Sequence, residues 1–148
     1  MPTTYQSSRC STGAVPVYKE TGVFHDSATY EAANASAIVA NDVIQMVPIP
    51  GGNAPNGVEV IDVILTTDDC GTATADVGDG DDPDYLIDGA DIGAAAGCVA
   101  RRGSGVSVLA AAGFPKIYTT NDTLDVKIAS SSANVEGTIR LDVFMRAL

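Results

Sequence analysis

The densest group of chemically capable side chains is an acidic segment that runs Asp76-Val77-Gly78-Asp79-Gly80-Asp81-Asp82-Pro83-Asp84. Carboxylates this close repel one another, and Ca2+, which takes many oxygen ligands from flexible turns, would relieve the repulsion. An EF-hand does not fit, because a loop beginning at Asp79 would have Pro83 and Ala90 at ligand positions. Two interpretations remain open. One is a solvated acidic β-turn with glycine at positive φ; the other is a calcium site with the ligands Asp79, Asp81, Asp82 and Asp84.

The residue types that catalysis usually requires are sparse in this chain. His25 is the only histidine, and Asp26 and Ser27 follow it directly in sequence, which is not how a catalytic triad is assembled. Glycosidases use two separated carboxylates, whereas the pair Asp68-Asp69 lies where a strand is expected to end. The aspartates around Gly78-x-Gly80 would repel a phosphate group. We therefore expect no enzyme, and no cofactor apart from the calcium considered above.

The charge of the chain argues against nucleic acid as a partner. Nineteen acidic residues face eight basic ones among 148 residues, which gives a net charge of −11. Nucleic-acid binding needs a basic surface that displaces counterions, and anionic membranes also attract basic segments. Like charge suits a protein that works at high local concentration, because it opposes association through the wrong faces.

The chain begins with polar residues, Met1-Pro2-Thr3-Thr4, and lacks the basic and apolar regions of a signal peptide. No apolar run approaches the ~20 residues that a membrane helix needs. We therefore expect a soluble protein made in a cytoplasm. Cys10, Cys70 and Cys98 are too far apart to form metal-binding pairs, and we expect free thiols; a single disulfide formed after cell lysis is the open alternative.

The clearest structural pattern lies near the end of the chain. Residues alternate between apolar and polar over Thr123–Ala129 and again over Thr138–Arg146, with the polar turn Ser130–Asn134 between them. Side chains in a strand repeat every two residues, so each segment predicts a strand with one buried face. The pattern favours a β-hairpin.

Further short strands are expected along the chain, and residues 48–53 are expected to form a loop. The strand Val58–Thr67 is apolar on both faces, so it should lie centrally or under a partner. Residues 26–37 fit either a loop or a helical turn, and residues 89–113 suggest a long Gly/Ala-rich excursion. The remaining expected strands are Ala14–Lys19, Asp42–Val47, Thr72–Val77, Tyr85–Asp88, Val106–Leu109 and Ile117–Thr120.

About eight short strands without a convincing helix predict an all-β protein. We expect a single β-sandwich or jelly-roll-like domain over residues 13–148, preceded by a polar N-terminal arm over residues 1–12. At this length the chain can bury a core without disulfide or metal support.

Three features suggest contacts with other proteins. Phe144 falls on the polar face of the last strand, and aromatic side chains on such faces mark interfaces. Arg101 and Arg102 stand alone in an acidic protein, and arginine suits forked contacts with carboxylates. The N-terminal arm, with Tyr5 and Arg9, is the third candidate contact element.

Three groups of short motifs follow one another along the chain. They are Asn41-Asp42-Val43-Ile44 with Pro48-Ile49-Pro50-Gly51; Asp76-Val77-Gly78-Asp79-Gly80; and Asn121-Asp122-Thr123-Leu124-Asp125-Val126 with Gly137-Thr138-Ile139-Arg140-Leu141. Their order, over residues 38–146, resembles small structural proteins that coat or decorate the heads of tailed bacteriophages. Residues 1–37 and the insertion Ala94–Gly113 depart from that pattern.

The resemblance implies a virion component with a β-sandwich or jelly-roll body. Such a protein would assemble as a small ring, such as a trimer, and bind the major capsid protein at the capsid surface. The resemblance implies no catalytic residues. The alternatives are a tail or fibre-base component, a carbohydrate-binding sandwich, which the absence of Trp disfavours, and a hydrolase, which lacks a nucleophile constellation.

Overall fold

A computed structural model describes residues 2–11, 22–33, 37–106 and 116–148. Ten strands and one short helix, α1, lie in these ranges. The strands are β1 (Thr4–Gln6), β2 (Gly22–Ala32), β3 (Val43–Pro50), β4 (Val58–Thr67), β5 (Thr74–Gly78), β6 (Ile87–Asp91), β7 (Cys98–Arg101), β8 (Ile117–Tyr118), β9 (Asn121–Ser130) and β10 (Gly137–Ala147). The helix α1 spans Ser8–Ser11, and a 3-10 turn spans Gly51–Asn53.

The strands form two sheets that enclose one core. The first sheet, sheet A, has the order β1-β3-β9-β5-β6, and the second, sheet B, has the order β2-β10-β4-β7, with β8 also paired to β4. Neighbouring strands are antiparallel except for β1 and β3. The expected all-β sandwich is confirmed, whereas jelly-roll connectivity stays a prediction.

The core is aliphatic because alternate residues of β9 and β10 point inward. Leu124, Val126 and Ile128 of β9 are fully buried, as are Leu141 and Val143 of β10. Sheet packing of this kind places the two inner faces about 10 Å apart with their side chains interdigitated. The strand β4 lies between β10 and β7, which confirms its expected central position.

The predicted hairpin near the end of the chain is wrong in its pairing. Both of its strands exist, but β9 belongs to sheet A and β10 to sheet B. Residues 131–136 cross from one sheet to the other. The Val135 amide in this connection donates a hydrogen bond to the Ile38 carbonyl at 2.8 Å. The alternation of apolar and polar residues predicts which side chains of each strand are buried. It does not predict whether two such strands pair in one sheet or pack against each other across the core.

Two other expected loop segments need correction. Residues 26–37 contain most of β2, whose only buried side chains, Ala28 and Ala32, are too small to produce a visible apolar period. Pro48 and Pro50 lie within β3 rather than in a loop. Proline is tolerated there because β1 pairs with β3 only over Val43–Gln45, which leaves the amide side at the prolines without a strand in the described structure.

The Gly/Ala-rich excursion is also more ordered than expected, since it contains part of β6 and the whole of β7. The strand predicted at Ala14–Lys19 lies outside the described residues, as does most of the one predicted at Val106–Leu109.

The described part of the predicted N-terminal arm, residues 2–11, packs on the body. Its strand β1 pairs with β3, and the Thr3 amide donates to the Asp42 carboxylate at 2.7 Å. Ser7 is buried, and Arg9 forms a forked pair with Asp26, at 3.1 Å from Nε and 2.7 Å from Nη2. The proposed domain boundary between residues 12 and 13 falls outside the described residues.

Within the described ranges, no helix is long and apolar enough to cross a membrane.

Candidate functional site

The acidic segment folds around one buried carboxylate, that of Asp79, which is 1% exposed. Its Oδ1 accepts the backbone amides of Asp81 at 3.0 Å and Asp82 at 2.9 Å. Its Oδ2 accepts the Tyr118 hydroxyl at 2.6 Å and pairs with the Lys116 ammonium. Both oxygens therefore have donors, so the carboxylate organises the turn and joins it to β8.

A small polar cluster surrounds this carboxylate. The hydroxyls of Tyr85 and Tyr118 are 2.5 Å apart. The Lys116 ammonium lies 5.5 Å from the ring centre of Tyr85 and 5.2 Å from that of Tyr118, within the range of cation–π attraction. We call Asp79, Tyr85, Lys116 and Tyr118 the Asp79 cluster.

The electrostatics of the cluster follow from these contacts. Burial alone would raise the pKa of Asp79, but the hydrogen bonds from Lys116, Tyr118 and the Asp82 amide outweigh it and lower the pKa. Burial raises the pKa of Tyr85, and burial with the neighbouring hydroxyl and carboxylate raises the pKa of Tyr118. At neutral pH the cluster therefore holds an ionised Asp79 and two neutral phenols.

The four aspartates proposed as calcium ligands do not converge in the structure. Asp79 points inward to Lys116, whereas Asp81 and Asp84 are exposed. Across the described part of the chain, no group of three or more His, Cys, Asp or Glu side chains is arranged to hold a metal ion. Calcium binding at this turn stays an untested alternative interpretation of the sequence, and it would require Asp79 to leave its present partners.

A pocket of about 310 Å3 opens on the outer face of sheet A, next to the Asp79 cluster. We call it the sheet A pocket. Strands β3 and β9 and the turn after β5 supply its walls. Its lining residues are Pro2, Asn41, Val43, Asp79, Gly80, Pro83, Asp125 and Lys127.

Asp125 is the second buried carboxylate of this region. It belongs to β9, where it pairs with Gln45 on one side and Gly78 on the other. It is 5% exposed, and its Oδ1 has no hydrogen-bond partner within the described residues. Burial raises the pKa of Asp125 to about 7, against a hydrogen bond with Thr123 that lowers it.

The outer face of sheet B carries an aromatic pair. The rings of Phe144 and His25 lie 4.9 Å apart between centres, on the paired strands β10 and β2. The His25 Nε2 is 2.9 Å from an oxygen of Asp142, which also receives a forked contact from Arg140 at 2.8 and 2.7 Å. Phe144 is therefore half-buried against its neighbour rather than fully exposed as the sequence suggested.

The predicted interface residues differ in exposure and in the contacts that they make within the protein. Arg101 is exposed, with Asp62 3.8 Å away. Arg102 donates to the carbonyls of Val60 and Ile61, which anchors the segment after β7 to β4. Tyr5 is half-buried, with its ring centre 6.4 Å from that of Tyr30. An interface role for Tyr5, Arg9, Arg101, Arg102 and Phe144 stays a prediction.

Large apolar side chains are exposed on sheet B. Val23 on the outer strand β2 is 67% exposed, and Val99 on β7 at the opposite edge is 71% exposed. Ile117 on β8 is 49% exposed. Single exposed apolar side chains are common on protein surfaces. These three residues, however, lie along both edges of one sheet, where strands of a neighbour could approach.

All three cysteines are free thiols, with Cys70 buried and Cys10 and Cys98 half-buried. Burial raises the pKa of Cys10 and of Cys70 to about 11, so both are inert thiols at neutral pH.

Sequence reasoning missed the partners that matter most in this region. Lys116 and Tyr118 were not singled out, because they follow a stretch without a pattern and reach Asp79 across 37 and 39 positions. The alternation over Thr123–Ala129 places Asp125 on the polar face of its strand, as the structure does, but alternation alone does not show that this position is covered. The Gly78 opposite it was the available signal, since glycine allows close approach.

Comparisons with known proteins identify the fold. No protein-family model matches this chain, and no curated protein matches it. A chain in the solved capsid of Ralstonia phage GP4 is 23% identical, with a TM-score of 0.71 and coverage of 98% of both chains. A chain in the capsid asymmetric unit of cyanophage Pam1 is 18% identical, with a TM-score of 0.65 over 91% of this chain and 92% of the other.

A third similar chain belongs to the acid-stable capsid structure of the Helicobacter pylori bacteriophage KHP30. It is 17% identical, with a TM-score of 0.56 over 84% of this chain and 86% of the other. The chain therefore shares its fold, over nearly its full length, with chains found in phage capsid structures.

Proposed function

We propose that this protein is a structural component of a tailed-phage virion that decorates the head, where it binds the major capsid protein and stabilises the shell. The observation that carries the proposal is the fold match of nearly the whole chain, 98% of it, to a chain in a phage capsid. The order of the motifs in the sequence supports the same function independently.

The surface chemistry fits this role. A net charge of −11 keeps free copies apart, so contacts form only where a partner supplies complementary groups. The exposed Val23 and Val99 lie at opposite edges of sheet B, which suits a subunit that touches neighbours on two sides.

The proposed mechanism is mechanical. Each copy, or a small ring such as a trimer, bridges neighbouring capsid subunits and adds contact area that resists outward pressure. Burial of apolar side chains at those contacts stabilises the assembly by roughly 25 cal/mol per Å2, before the costs of association. Repetition over the lattice adds avidity, because a copy held at one contact is already close to the next.

Binding of the purified protein to heads that lack it tests the proposal. We expect saturable binding on sedimentation, at a fixed ratio to the major capsid protein, and slower loss of packaged DNA on heating. Purified tails serve as the control. Saturable binding to tails but not to heads would reject the decoration role in favour of a tail component, and binding to neither would reject both.

Two single substitutions locate the contact between this protein and the capsid. Val23→Asp and Val99→Asp each place a charge at an exposed edge position where folding should be little affected. We expect at least a tenfold loss of head binding for one or both, with an unchanged melting temperature. The matched control is Val39→Asp, a third exposed valine, 42% exposed, outside sheet B.

A further inference from the structure

The lining of the sheet A pocket combines apolar side chains with charged and polar ones. Pro2, Val43 and Pro83 supply apolar surface, and Asp125 and Asp79 supply carboxylates. At about 310 Å3 it lies at the small end of ligand pockets, which suits one side chain or a comparably small molecule.

Backbone packing builds this pocket. Gly78, opposite Asp125 on β5, has no side chain to cover the carboxylate. The turn that follows closes over Gly78 so tightly that an added Cβ would lie 2.1 Å from the Asp82 carbonyl oxygen. The same turn contributes Asp79, Gly80 and Pro83 to the lining, so the pocket follows from the fold of the acidic segment.

The charges around the pocket leave one carboxylate without a counterion. Asp79 is neutralised by Lys116, but no ion pair to Asp125 occurs within the described ranges. Asp79 and Asp122 add repulsion, as both contribute to the raised pKa of Asp125. Lys127 on β9 also lines the pocket, and its register neighbour on β5 is Asp76, with which it interacts electrostatically. A buried carboxylate with an unpartnered oxygen favours a cationic donor.

We propose that the sheet A pocket receives the side chain of a lysine from a neighbouring protein subunit, with its ammonium on Asp125 and its methylene chain against Pro2, Val43 and Pro83. Asp125 lines the pocket with little of its carboxylate exposed, and this narrow target matches the compact ammonium of lysine better than the five-donor guanidinium of arginine. The identity of the subunit rests on the proposed function, whereas the preference of the pocket for an alkylammonium group does not.

Titration with n-butylamine hydrochloride, followed by NMR on the intact chain, tests the pocket directly. We expect saturable shifts at Val43, Lys127 and the Asp125 carboxyl carbon, with affinity rising at least fivefold from pH 6 to pH 8 as Asp125 ionises. Asp125→Asn should weaken binding at least tenfold, whereas Asp122→Asn, which changes the same charge at an exposed position, should weaken it less than threefold. Equal loss in both variants would overturn the assignment to Asp125.

A second readout needs no substitution. In the wild-type chain, saturating butylamine should lower the titration midpoint of the Asp125 carboxyl by more than half a pH unit, because the bound ammonium favours the ionised form. An unmoved midpoint would overturn the contact.

Two further binding experiments identify the source of the amine. If spermidine binds more than tenfold tighter than butylamine at physiological salt, the pocket serves free polyamines and the lysine assignment is wrong. If Asp125→Asn binds heads as tightly as wild type, the lysine assignment is also wrong. If wild type binds butylamine but no heads, the proposed function fails while the alkylammonium pocket stands.

Discussion

Asp79 and Asp125 line the same pocket and are almost equally buried, at 1% and 5% exposed, yet their acidities move in opposite directions. Asp79 has four donors, from Lys116, Tyr118 and two backbone amides, and its pKa is lowered. Asp125 has an unpartnered oxygen among the described residues, and its pKa is raised to about 7.

The comparison shows that hydrogen-bond donors and counterions, rather than burial, decide whether a buried carboxylate stabilises this fold. Removing a carboxylate from water costs free energy in both cases. At Asp79 the donors repay that cost, and the ion holds the acidic turn closed. At Asp125 the cost is not offset within the described structure, so ionisation of this carboxyl group lowers stability, a pattern that is common at binding sites.

The largest effect is expected for Asp79→Asn. This substitution leaves Lys116 without its counterion and disrupts the contact with Tyr118, which should lower the free energy of unfolding by about 3 kcal/mol. Urea denaturation at pH 7 measures the change. Asp81→Asn, the same substitution two positions along at an exposed site, is the control and should change stability by less than about 0.5 kcal/mol. Similar losses in both variants would show that the Asp79 contacts do not hold the turn.

Gly78→Ala should have the next largest effect. The new methyl group would meet the Asp82 carbonyl oxygen at 2.1 Å and C of Pro83 at 2.5 Å, so the turn must move away. We expect a loss of about 2 kcal/mol, in the range of other overpacking substitutions. Gly80→Ala is the matched control, because nothing lies within 4 Å of its added Cβ. A stable Gly78→Ala variant with unchanged amide shifts at residues 79–83 would contradict the described turn.

Asp125→Asn should stabilise the protein at high pH. Because the folded pKa of Asp125 is raised to about 7, its contribution to stability is present below pH ~4 and is lost as the pH rises through 7. At pH 8 the variant should therefore exceed wild type by on the order of 1–3 kcal/mol, since each pKa unit corresponds to about 1.4 kcal/mol. Melting temperatures between pH 5 and pH 8 measure this. A wild-type profile that rises over this range as steeply as that of the variant would refute the raised pKa.

Asp79 behaves oppositely, which separates the two carboxylates experimentally. Its lowered pKa means that its contribution is present above the ordinary Asp value near 4 and is lost as the pH falls below it. Acid unfolding of the Asp79→Asn variant should therefore depend less on pH below 4 than that of wild type.

Calcium should have the smallest effect. The Asp79 carboxylate is occupied, and none of the described residues form a group of three potential ligands. Millimolar Ca2+ should shift the melting temperature by less than about 1 °C, with Mg2+ at equal concentration as the control. A calcium-specific increase of several degrees would mean that the four aspartates reorganise around the ion.

The sequence was sufficient to predict the strands with strong alternation, but it was insufficient to predict which strands pair with them. The β9 and β10 segments were predicted from residues such as Val126 and Leu141, but the pairing of β9 with β3 and β5 involves contacts that no local pattern encodes. The β2 strand was missed because Ala28 and Ala32 give a weak apolar period. The acidic segment was recognised as a candidate site, but Lys116, which turns its central aspartate inward, lies far along the chain.

Quantitative mass spectrometry of purified phage particles tests the central claim most directly, namely that this chain is a component of the virion head. The account predicts that the chain is present in particles and in isolated heads, at a constant copy number relative to the major capsid protein. Its absence from purified heads, or its presence only in trace and variable amounts, would contradict the account.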